Sequence, residues 1–233
     1  MFFSLLPKRA IINDANEELI NAYVVIRDHV EELIESLLKH KNDRSYYYRI
    51  RALDPKSLDP IERASRFLYL NRACYNGLYR ENSKGEFSVP FGNYKNIDFD
   101  FENLRLVSEY LRSSDVVILN KDYKEACKSV KAEDFVFLDP PYYLEGKGFT
   151  RYTRYDFTEK DHAELAEVFK ELDKRGAFLL LTNSDTDYIR KLYKGYNIVS
   201  LKTNRFINSN PYLRKAMGKE VIITNYHHEV FKG

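Results

Sequence analysis

The residues best suited to chemistry stand where an apolar segment, Phe135–Leu138, stops at Asp139-Pro140-Pro141-Tyr142. Two successive prolines cannot continue a central strand, and they offer carbonyl oxygens without competing N–H groups. Asp139 and the Pro140 carbonyl therefore supply two acceptors, which match the two protons of an exocyclic amine such as adenine N6. Tyr142 adds a ring that could stack on a base taken out of a duplex. The alternative is a turn that merely ends the strand, because Asp and Pro both favour turns.

Strand and helix patterns alternate around this turn. Buried strands are predicted at 9–13 and 135–138, and further strands at 116–119, 178–182, 198–202 and 221–225. Helices are predicted at 16–39, 60–75, 101–112, 159–172 and 185–193. Asp14 and Glu17 are placed as a capping box before the first long helix, and Thr158 caps a later one. The alternation predicts a doubly wound, mostly parallel α/β sheet that binds ligands at the carboxyl ends of its strands, with the last two strands paired antiparallel.

Residues 41–96 differ in character from the segments on either side. Charges and tyrosines crowd together there, and residues 82–94 are rich in turn formers. Residues 86–91 could form one arm of a small hairpin. We therefore expect one domain made of residues 1–40 and 97–233, interrupted by an inserted, mostly helical lobe at 41–96.

Composition excludes several classes of protein. The net charge is only +2, so nucleic-acid binding has to rest on a local patch. Cys74 and Cys127 have no zinc-ligand spacing, and neither stands in the Pro-Cys turn of enzymes that attack cytosine C5. No apolar run approaches the roughly 20 residues that span a bilayer. A cytoplasmic protein without metal or membrane contact is expected.

Residues 139–142 carry the DPPY motif of Dam-type N6-adenine DNA methyltransferases, and the chain resembles that group over nearly its whole length. The resemblance implies a Rossmann-like sheet and transfer of a methyl group from S-adenosyl-L-methionine to adenine N6 in double-stranded DNA. It also implies that Asp14 holds the ribose of this cofactor, that Asp122 and Tyr123 cradle its adenine, and that Asp139 borders it. A plain helix cap is the alternative for Asp14, and the two roles can coexist.

Residues 67–82 and 85–95 resemble the target-recognition lobe of the same group. By that resemblance Tyr75 and Asn76 act on the duplex at the flipped base, while Leu78, Arg80 and Pro90 read base edges. An arginine suits a bidentate contact with guanine O6 and N7. GATC is then the favoured site, and the alternative for Arg80 is a solvated charge.

Other positions are expected at the edges of these sites. Phosphate contacts are expected from four basic residues of the lobe, for which an ordinary solvated face is the alternative: Arg49, Arg51, Lys84 and Lys95. Residues 146–155 are expected either to order over the flipped adenine or to form a surface loop. The chain also resembles the late motifs of the group at Asn183, Ser184, Arg205, Asn208 and Arg214. The sequence does not resolve the roles of these residues.

The glycine segment with which members of the group begin is missing from the pattern. No glycine precedes Gly77, so the first strand and its Phe-x-Gly-x-Gly turn have no counterpart. The chain could be a fragment, could depend on a second polypeptide that supplies this segment, or could have decayed. A catalytically incompetent or split-fragment DNA-binding protein is therefore the main alternative. Methylation of an amine in RNA or in a protein side chain is a third possibility.

Overall fold

The computed structural model describes residues 1–144, 157–204 and 217–227, and the chain divides into two compact units, Met1–Ala126 and Cys127–Gly233. The first unit contains, in order, α1 (Phe2–Leu5), β1 (Arg9–Asn13), α2 (Glu17–Asp28), α3 (Val30–Leu37), α4 (Arg44–Ala52), α5 (Pro60–Ala73), α6 (Phe101–Ser113), β2 (Asp115–Leu119) and α7 (Tyr123–Ala126). The second contains β3 (Phe135–Leu138), α8 (Glu159–Lys174), β4 (Phe178–Ser184), α9 (Asp187–Leu192), β5 (Asn197–Asn204) and β6 (Met217–Thr224). The chain is thus a mixed α/β protein, and all six predicted strands are present.

In the first unit, β1 and β2 form a parallel pair whose register runs from Arg9 opposite Asp115 to Asn13 opposite Leu119. Helices α2, α3 and α6 contribute most of the buried side chains around this pair. The members of that core are Ala22, Val25, Ile26, Leu33, Leu37, Ala64, Leu111 and Val116. The parallel register brings the carboxyl ends of β1 and β2 to the same edge.

The first long helix differs from its prediction in two ways. It is broken at His29, where φ is −140° and ψ is 44°, so the predicted helix 16–39 is wrong as a single element. Its N-cap is Asn16, whose side chain accepts from the N–H groups of Glu18 and Leu19, and not the predicted box of Asp14 and Glu17. Both halves bury one apolar face, so the spacing of apolar residues continues across the break and does not reveal it.

The segment after α3 has a small core of its own. Its buried residues come from α4, α5 and the chain that follows them, namely Tyr47, Tyr69, Leu70, Ala73, Cys74 and Val89. Helix α4 was not predicted. Tyr47 is its one buried residue, so α4 lacks the apolar stripe that marks an amphipathic helix, and Asp43 caps it by accepting from the N–H of Tyr46. The predicted hairpin arm at 86–91 is present only as isolated bridges, Glu81 to Phe87 and Cys74 to Phe91.

In the second unit the strand order is β3-β4-β6-β5. Strand β3 pairs with β4 in parallel, and β6 runs antiparallel to both β4 and β5, which confirms the predicted pairing of the last two strands. Thr158 caps α8 through a capping box with Asp161. Helix α9 begins two residues later than predicted, because Thr186 is its N-cap.

Two strands are less buried than their apolar sequences predict. Phe135 and Phe137 on β3 are 48% and 41% exposed, and Ile11 on β1 is 49% exposed. β3 is the outer strand of a four-stranded sheet, and β1 belongs to a sheet of two strands in the described structure. Among the described residues no helix combines the length and hydropathy required to cross a bilayer.

Candidate active site and DNA-recognition surface

Strand β3 delivers Asp139 to the end of the parallel pair β3–β4. Leu138 lies opposite Leu181 in this pair, so the next residues, Asp139 and Thr182, are neighbours on one face of the sheet. The hydroxyl of Thr182 donates to Oδ1 of Asp139 at 2.5 Å. Within the described ranges, no donor is bonded to Oδ2, and the Asp139 side chain is exposed.

The chain after the two prolines is fastened to the same strand. The N–H of Tyr143 donates to Oδ1 of Asn183 at 2.9 Å, and the hydroxyl of Ser184 donates to the carbonyl of Tyr143. Asn183 and Ser184 are both buried. The half-buried residues between Asp139 and Tyr143, which are Pro140, Pro141 and Tyr142, are therefore held between two fixed points.

A buried histidine packs beneath this turn. The His162 ring meets the ring of Tyr143 edge-on, with centroids 5.7 Å apart, and that of Phe157 at 4.7 Å. Burial lowers the pKa of His162 to about 4, although the nearby carboxylates of Asp161 and Glu159 oppose this shift. His162 is therefore neutral at physiological pH and packs as an apolar ring, with no hydrogen-bond partner for its Nε2 among the described residues.

A second cluster of polar residues lies at the carboxyl ends of β1 and β2. The side-chain amide of Asn13 donates to the carbonyl of Lys121 at 3.0 Å and accepts from the N–H of the same residue at 3.0 Å. The amide of Asn120 donates to the carbonyl of Asp14 at 2.9 Å. These bonds bring Asp14 and Asp122 to the same edge of the first unit.

Both carboxylates of this edge are held by main-chain groups. Oδ1 of Asp14 accepts from the N–H of Asn16 at 2.7 Å, and Oδ1 of Asp122 accepts from the N–H of Lys124 at 2.9 Å. Asp14 is exposed by surface area, yet the protein atoms around it exclude enough water to raise its pKa, an effect that the Asn16 N–H partly offsets. Carboxylate oxygens of this kind accept hydrogen bonds from sugar hydroxyls, and the half-buried ring of Tyr123 follows at once. These acceptors and the ring thus fit a nucleoside.

The predicted base-flipping residues occupy a tight turn in the first unit. Tyr75 is 38% exposed, and its N–H donates to the carbonyl of Pro90 at 2.8 Å. Asn76 and Gly77 both have left-handed backbones, with φ of 55° and 61°, which Asn and Gly tolerate best. The N–H of Asn76 donates to the hydroxyl of Tyr94 at 2.8 Å. The turn is thus preformed and projects an aromatic ring.

The predicted base-reading residues lie on the segment beyond this turn. The backbone of Arg80 is fixed because its carbonyl accepts from the N–H of Ser88 at 2.8 Å. Its guanidinium is exposed and, among the residues that the structure describes, makes only a long contact of 3.5 Å with the Ser88 hydroxyl. Pro90 and Lys95 are exposed, and Leu78 is half-buried. The side chain of Arg80 therefore remains available to a ligand.

Similarity to known proteins decides the family of this chain. The profile of the D12 class N6 adenine-specific DNA methyltransferases matches residues 1–207. The chain belongs to this family. It is a site-specific adenine DNA methyltransferase, and such enzymes act on DNA. The family resemblance expected from the sequence is thereby confirmed.

Curated relatives agree with the profile. A type II methyltransferase of Lactococcus lactis subsp. cremoris, M1.LlaDCHI, is 40% identical over 97% of this chain and 82% of its own length. The type II methyltransferase M.MjaIII of Methanocaldococcus jannaschii is 42% identical over 94% of the chain and 81% of its own length. The DNA adenine methylase of Haemophilus influenzae is 34% identical over 92% of the chain and 77% of its own length.

The structure of this methyltransferase adds contacts that the sequence did not reveal. Beneath residues 78–90, which we call the recognition segment after the role expected for them, the Tyr47 hydroxyl donates to the carbonyl of Val89 at 2.8 Å. The buried guanidinium of Arg66 donates to the carbonyls of Ile50 and Arg51 at 3.0 and 2.8 Å, and so closes the end of α4. Arginine and tyrosine stand three or four residues apart in residues 44–51, as in Arg44 with Tyr48 and Tyr46 with Arg49, and this helical spacing was a signal that could have indicated the helix.

The expected phosphate contacts differ in how firmly their side chains are held. The guanidinium of Arg51 lies 4.7 Å from the ring centre of Tyr48, and that of Arg49 lies 5.0 Å from the ring of Tyr46. Arg51 also donates to the carbonyl of Val89 at 3.2 Å. Both arginines are thus ordered by neighbouring rings and are more than freely solvated charges.

Some expected residues fall outside the description. Residues 146–155, together with Arg205, Asn208 and Arg214, lie beyond the described ranges. Within those ranges, no group of three or more His, Cys, Asp or Glu side chains is placed to hold a metal ion.

Proposed function

We propose that this methyltransferase transfers a methyl group from S-adenosyl-L-methionine to N6 of adenine in duplex DNA, with the residues around Asp139 binding the amine. The observation that carries the proposal is the geometry of the Asp139 carboxylate, at the end of β3. One oxygen of this carboxylate is held by Thr182, and the other has no donor among the described residues. A hydrogen-bond donor on the ligand can therefore bind there.

The residues of the turn then divide the work. Asp139 accepts a hydrogen bond from one N–H of the N6 amine, and the carbonyl of Pro140 accepts a hydrogen bond from the other. Pro141 has no N–H group that could compete with the amine for these acceptors. Tyr142 stacks on the extruded base. When N6 takes the methyl group, the methyl–sulfur bond of the cofactor would break and the sulfur would leave as a neutral thioether. The Asp139 carboxylate would stabilise the positive charge that N6 gains and would accept the proton that N6 then loses.

The cofactor is assigned to the edge formed by β1 and β2. Asp14 would hold the ribose hydroxyls, and Asp122 and Tyr123 would hold the adenine ring. When bound, S-adenosyl-L-methionine supplies a methyl group on a sulfonium. The assignment is supported by the carboxylates of Asp14 and Asp122, which can accept hydrogen bonds from a nucleoside. Each of them has one oxygen anchored by a main-chain N–H.

We assign target recognition to the lobe at 41–96, inserted in a catalytic domain of residues 1–40 and 97–233. Tyr75 and Asn76 would act at the flipped base, and Leu78, Arg80 and Pro90 would read GATC. Lys95 would contact phosphate. The exposed guanidinium of Arg80, on an immobilised backbone, supports the assignment. The fold proposed for the chain is a Rossmann-like sheet, from whose sequence pattern the first strand is missing.

Replacement of Asp139 tests the catalytic assignment. In Asp139→Ala, methylation of a GATC duplex by labelled cofactor should fall by at least about 100-fold, because a preorganised charge at the reacting nitrogen is lost. Asp134→Asn, at the other end of the same strand segment, is the matched control and should keep the wild-type rate. Full activity in Asp139→Ala would refute the assignment.

A DNA-binding protein without activity is the second candidate, and it is favoured by the absence of any glycine from residues 1–76, where no glycine-rich cofactor turn can therefore form. Calorimetric titration with S-adenosyl-L-methionine separates the two. DNA binding without any heat from the cofactor favours the second candidate. The titration is repeated on a chain lengthened by the in-frame sequence upstream of Met1, and again with that segment added as a separate polypeptide. Heat of cofactor binding in either titration would show that the shorter chain fails to bind the cofactor because it lacks this segment.

The recognition assignment has a test of its own. Arg80→Ala should lower the preference for GATC over a duplex altered at the guanine by about 1–3 kcal/mol, because a bidentate base contact is removed. Lys84→Ala is the control, since the loss of an exposed phosphate contact lowers affinity for all duplexes alike and reduces the salt slope by about one. Equal loss of discrimination in both variants would contradict the assignment of Arg80.

A further inference from the structure

Thr182 is a residue that neither the motif nor the family resemblance singled out. It lies on β4, and its hydroxyl donates to Oδ1 of Asp139 at 2.5 Å. An ionised carboxylate only accepts hydrogen bonds, so the threonine must be the donor in this pair. The hydroxyl therefore occupies one of the two oxygens that the target amine could use.

The neighbours of Thr182 show that the contact is part of a larger fastening. The last three residues of β4 bind two points of the catalytic turn: Thr182 holds Asp139, while Asn183 and Ser184 hold the backbone of Tyr143. The parallel register of β3 and β4 places the first of these contacts, because Leu138 lies opposite Leu181. A branched side chain at this position has few rotamers, so its hydroxyl is directed before a ligand binds.

We propose that Thr182 is a positioning residue for methyl transfer: its hydroxyl fixes the rotation of the Asp139 carboxylate, so that Oδ2 is the oxygen that accepts from the target amine. The inference rests on the function proposed above for Asp139. Thr182 itself touches neither the base nor the cofactor in this scheme. Its effect therefore appears in the rate of the chemical step and not in binding.

Two substitutions separate the hydroxyl from the shape of the side chain. Thr182→Val keeps the branched shape and removes the donor, and its single-turnover rate should fall about 10- to 100-fold, the range expected for a lost hydrogen bond to a charged group. Its dissociation constants for GATC duplex and cofactor should stay within about twofold of wild type, since neither ligand touches the residue. Thr182→Ser keeps the donor and should remain within about threefold of the wild-type rate, because the hydrogen bond survives.

A double-mutant cycle shows whether Thr182 acts through Asp139. In an Asp139→Ala background, adding Thr182→Val should have no further effect, because the carboxylate that it orients is absent. A merely structural contribution would slow both backgrounds equally. Additive losses, an unchanged rate in Thr182→Val, or equal losses in Thr182→Val and Thr182→Ser would each overturn the inference.

A crystal structure of Thr182→Val provides a readout that does not depend on turnover. The Asp139 carboxylate should rotate away from its wild-type orientation, whereas an unchanged orientation would overturn the inference. The two proposals also fail differently. Full activity in Asp139→Ala would refute the catalytic assignment of Asp139, whereas an inactive Asp139→Ala beside a fully active Thr182→Val would refute only the role of Thr182.

Discussion

At the ends of β1 and β2 the carboxylates are held by backbone groups, whereas at the ends of β3 and β4 the carboxylate is held by a side chain. Asp14 and Asp122 each accept from an N–H two residues further along the chain. Asp139 accepts from the hydroxyl of Thr182, which is 43 residues away in the sequence. A main-chain donor persists when neighbouring side chains change, but a side-chain donor is lost with one substitution. The orientation of the carboxylates at the ends of β1 and β2 is therefore insensitive to single substitutions of neighbouring side chains, whereas the orientation of Asp139 can be changed by one substitution.

Two asparagines offer a direct test of this contrast, and the larger effect is expected at the ends of β3 and β4. Asn183 is 1% exposed and accepts from the N–H groups of Tyr143 and Ser184. Asn183→Ala should lower the free energy of unfolding by about 2–4 kcal/mol, because buried donors lose their acceptor and a cavity is left. Urea denaturation measures this change. A loss under about 1 kcal/mol would show that water replaces the amide.

Removal of the Asp14 carboxylate should have the next largest effect. Asp14→Ala should weaken binding of S-adenosyl-L-methionine about 10- to 100-fold, because hydrogen bonds from the ribose to a charged acceptor are lost. Calorimetry measures the affinity, and circular dichroism verifies that the fold is retained. An unchanged affinity would remove Asp14 from the cofactor site and leave it the role of a local turn.

Asn13→Ala is the counterpart of Asn183→Ala at the ends of β1 and β2. Asn13 is half-buried and exchanges two hydrogen bonds with the backbone of Lys121. Because water can reach the freed groups, the free energy of unfolding should fall by only about 1 kcal/mol. The same urea experiment applies, and a loss as large as that in Asn183→Ala would contradict the contrast between the two strand ends.

The smallest expected effect is a change in how stability depends on pH. Desolvation raises the pKa of Asp14, so the ionised carboxylate costs stability in the folded, cofactor-free protein. A carboxyl group with a raised pKa contributes stability at low pH that is lost as the pH rises through the folded-state value. Asp14→Asn should therefore unfold at a slightly higher Tm than wild type at pH 7, with the difference disappearing in acid. Thermal scans from pH 7 into acid measure the Tm of both proteins. A difference in Tm that grew in acid would contradict the expectation.

Much of the fold followed from local patterns. Strand 9–13 and strand 135–138 were predicted with the bounds that the structure gives them, because short apolar runs bounded by polar residues fit strands. Helix α8 begins after its Thr158 cap as predicted, and it ends at Lys174, two residues beyond the predicted Leu172. Helix α4 was missed and the break at His29 was not foreseen, since neither leaves a mark on the spacing of apolar residues.

Within the candidate sites, the sequence by itself determined which residues are candidates for the chemistry. It placed Asp139, Pro140 and Tyr142 after a strand, and Arg80 in the segment 67–82 that resembles the target-recognition lobe of the family, because motifs depend on residues that are adjacent in the chain. Only the tertiary structure decided what holds them. The partner of Asp139 comes from β4 and that of the recognition segment from α4, through the Tyr47 hydroxyl. Contacts of this kind join residues that are distant in the chain, so they arise from strand register and helix packing and no local pattern records them.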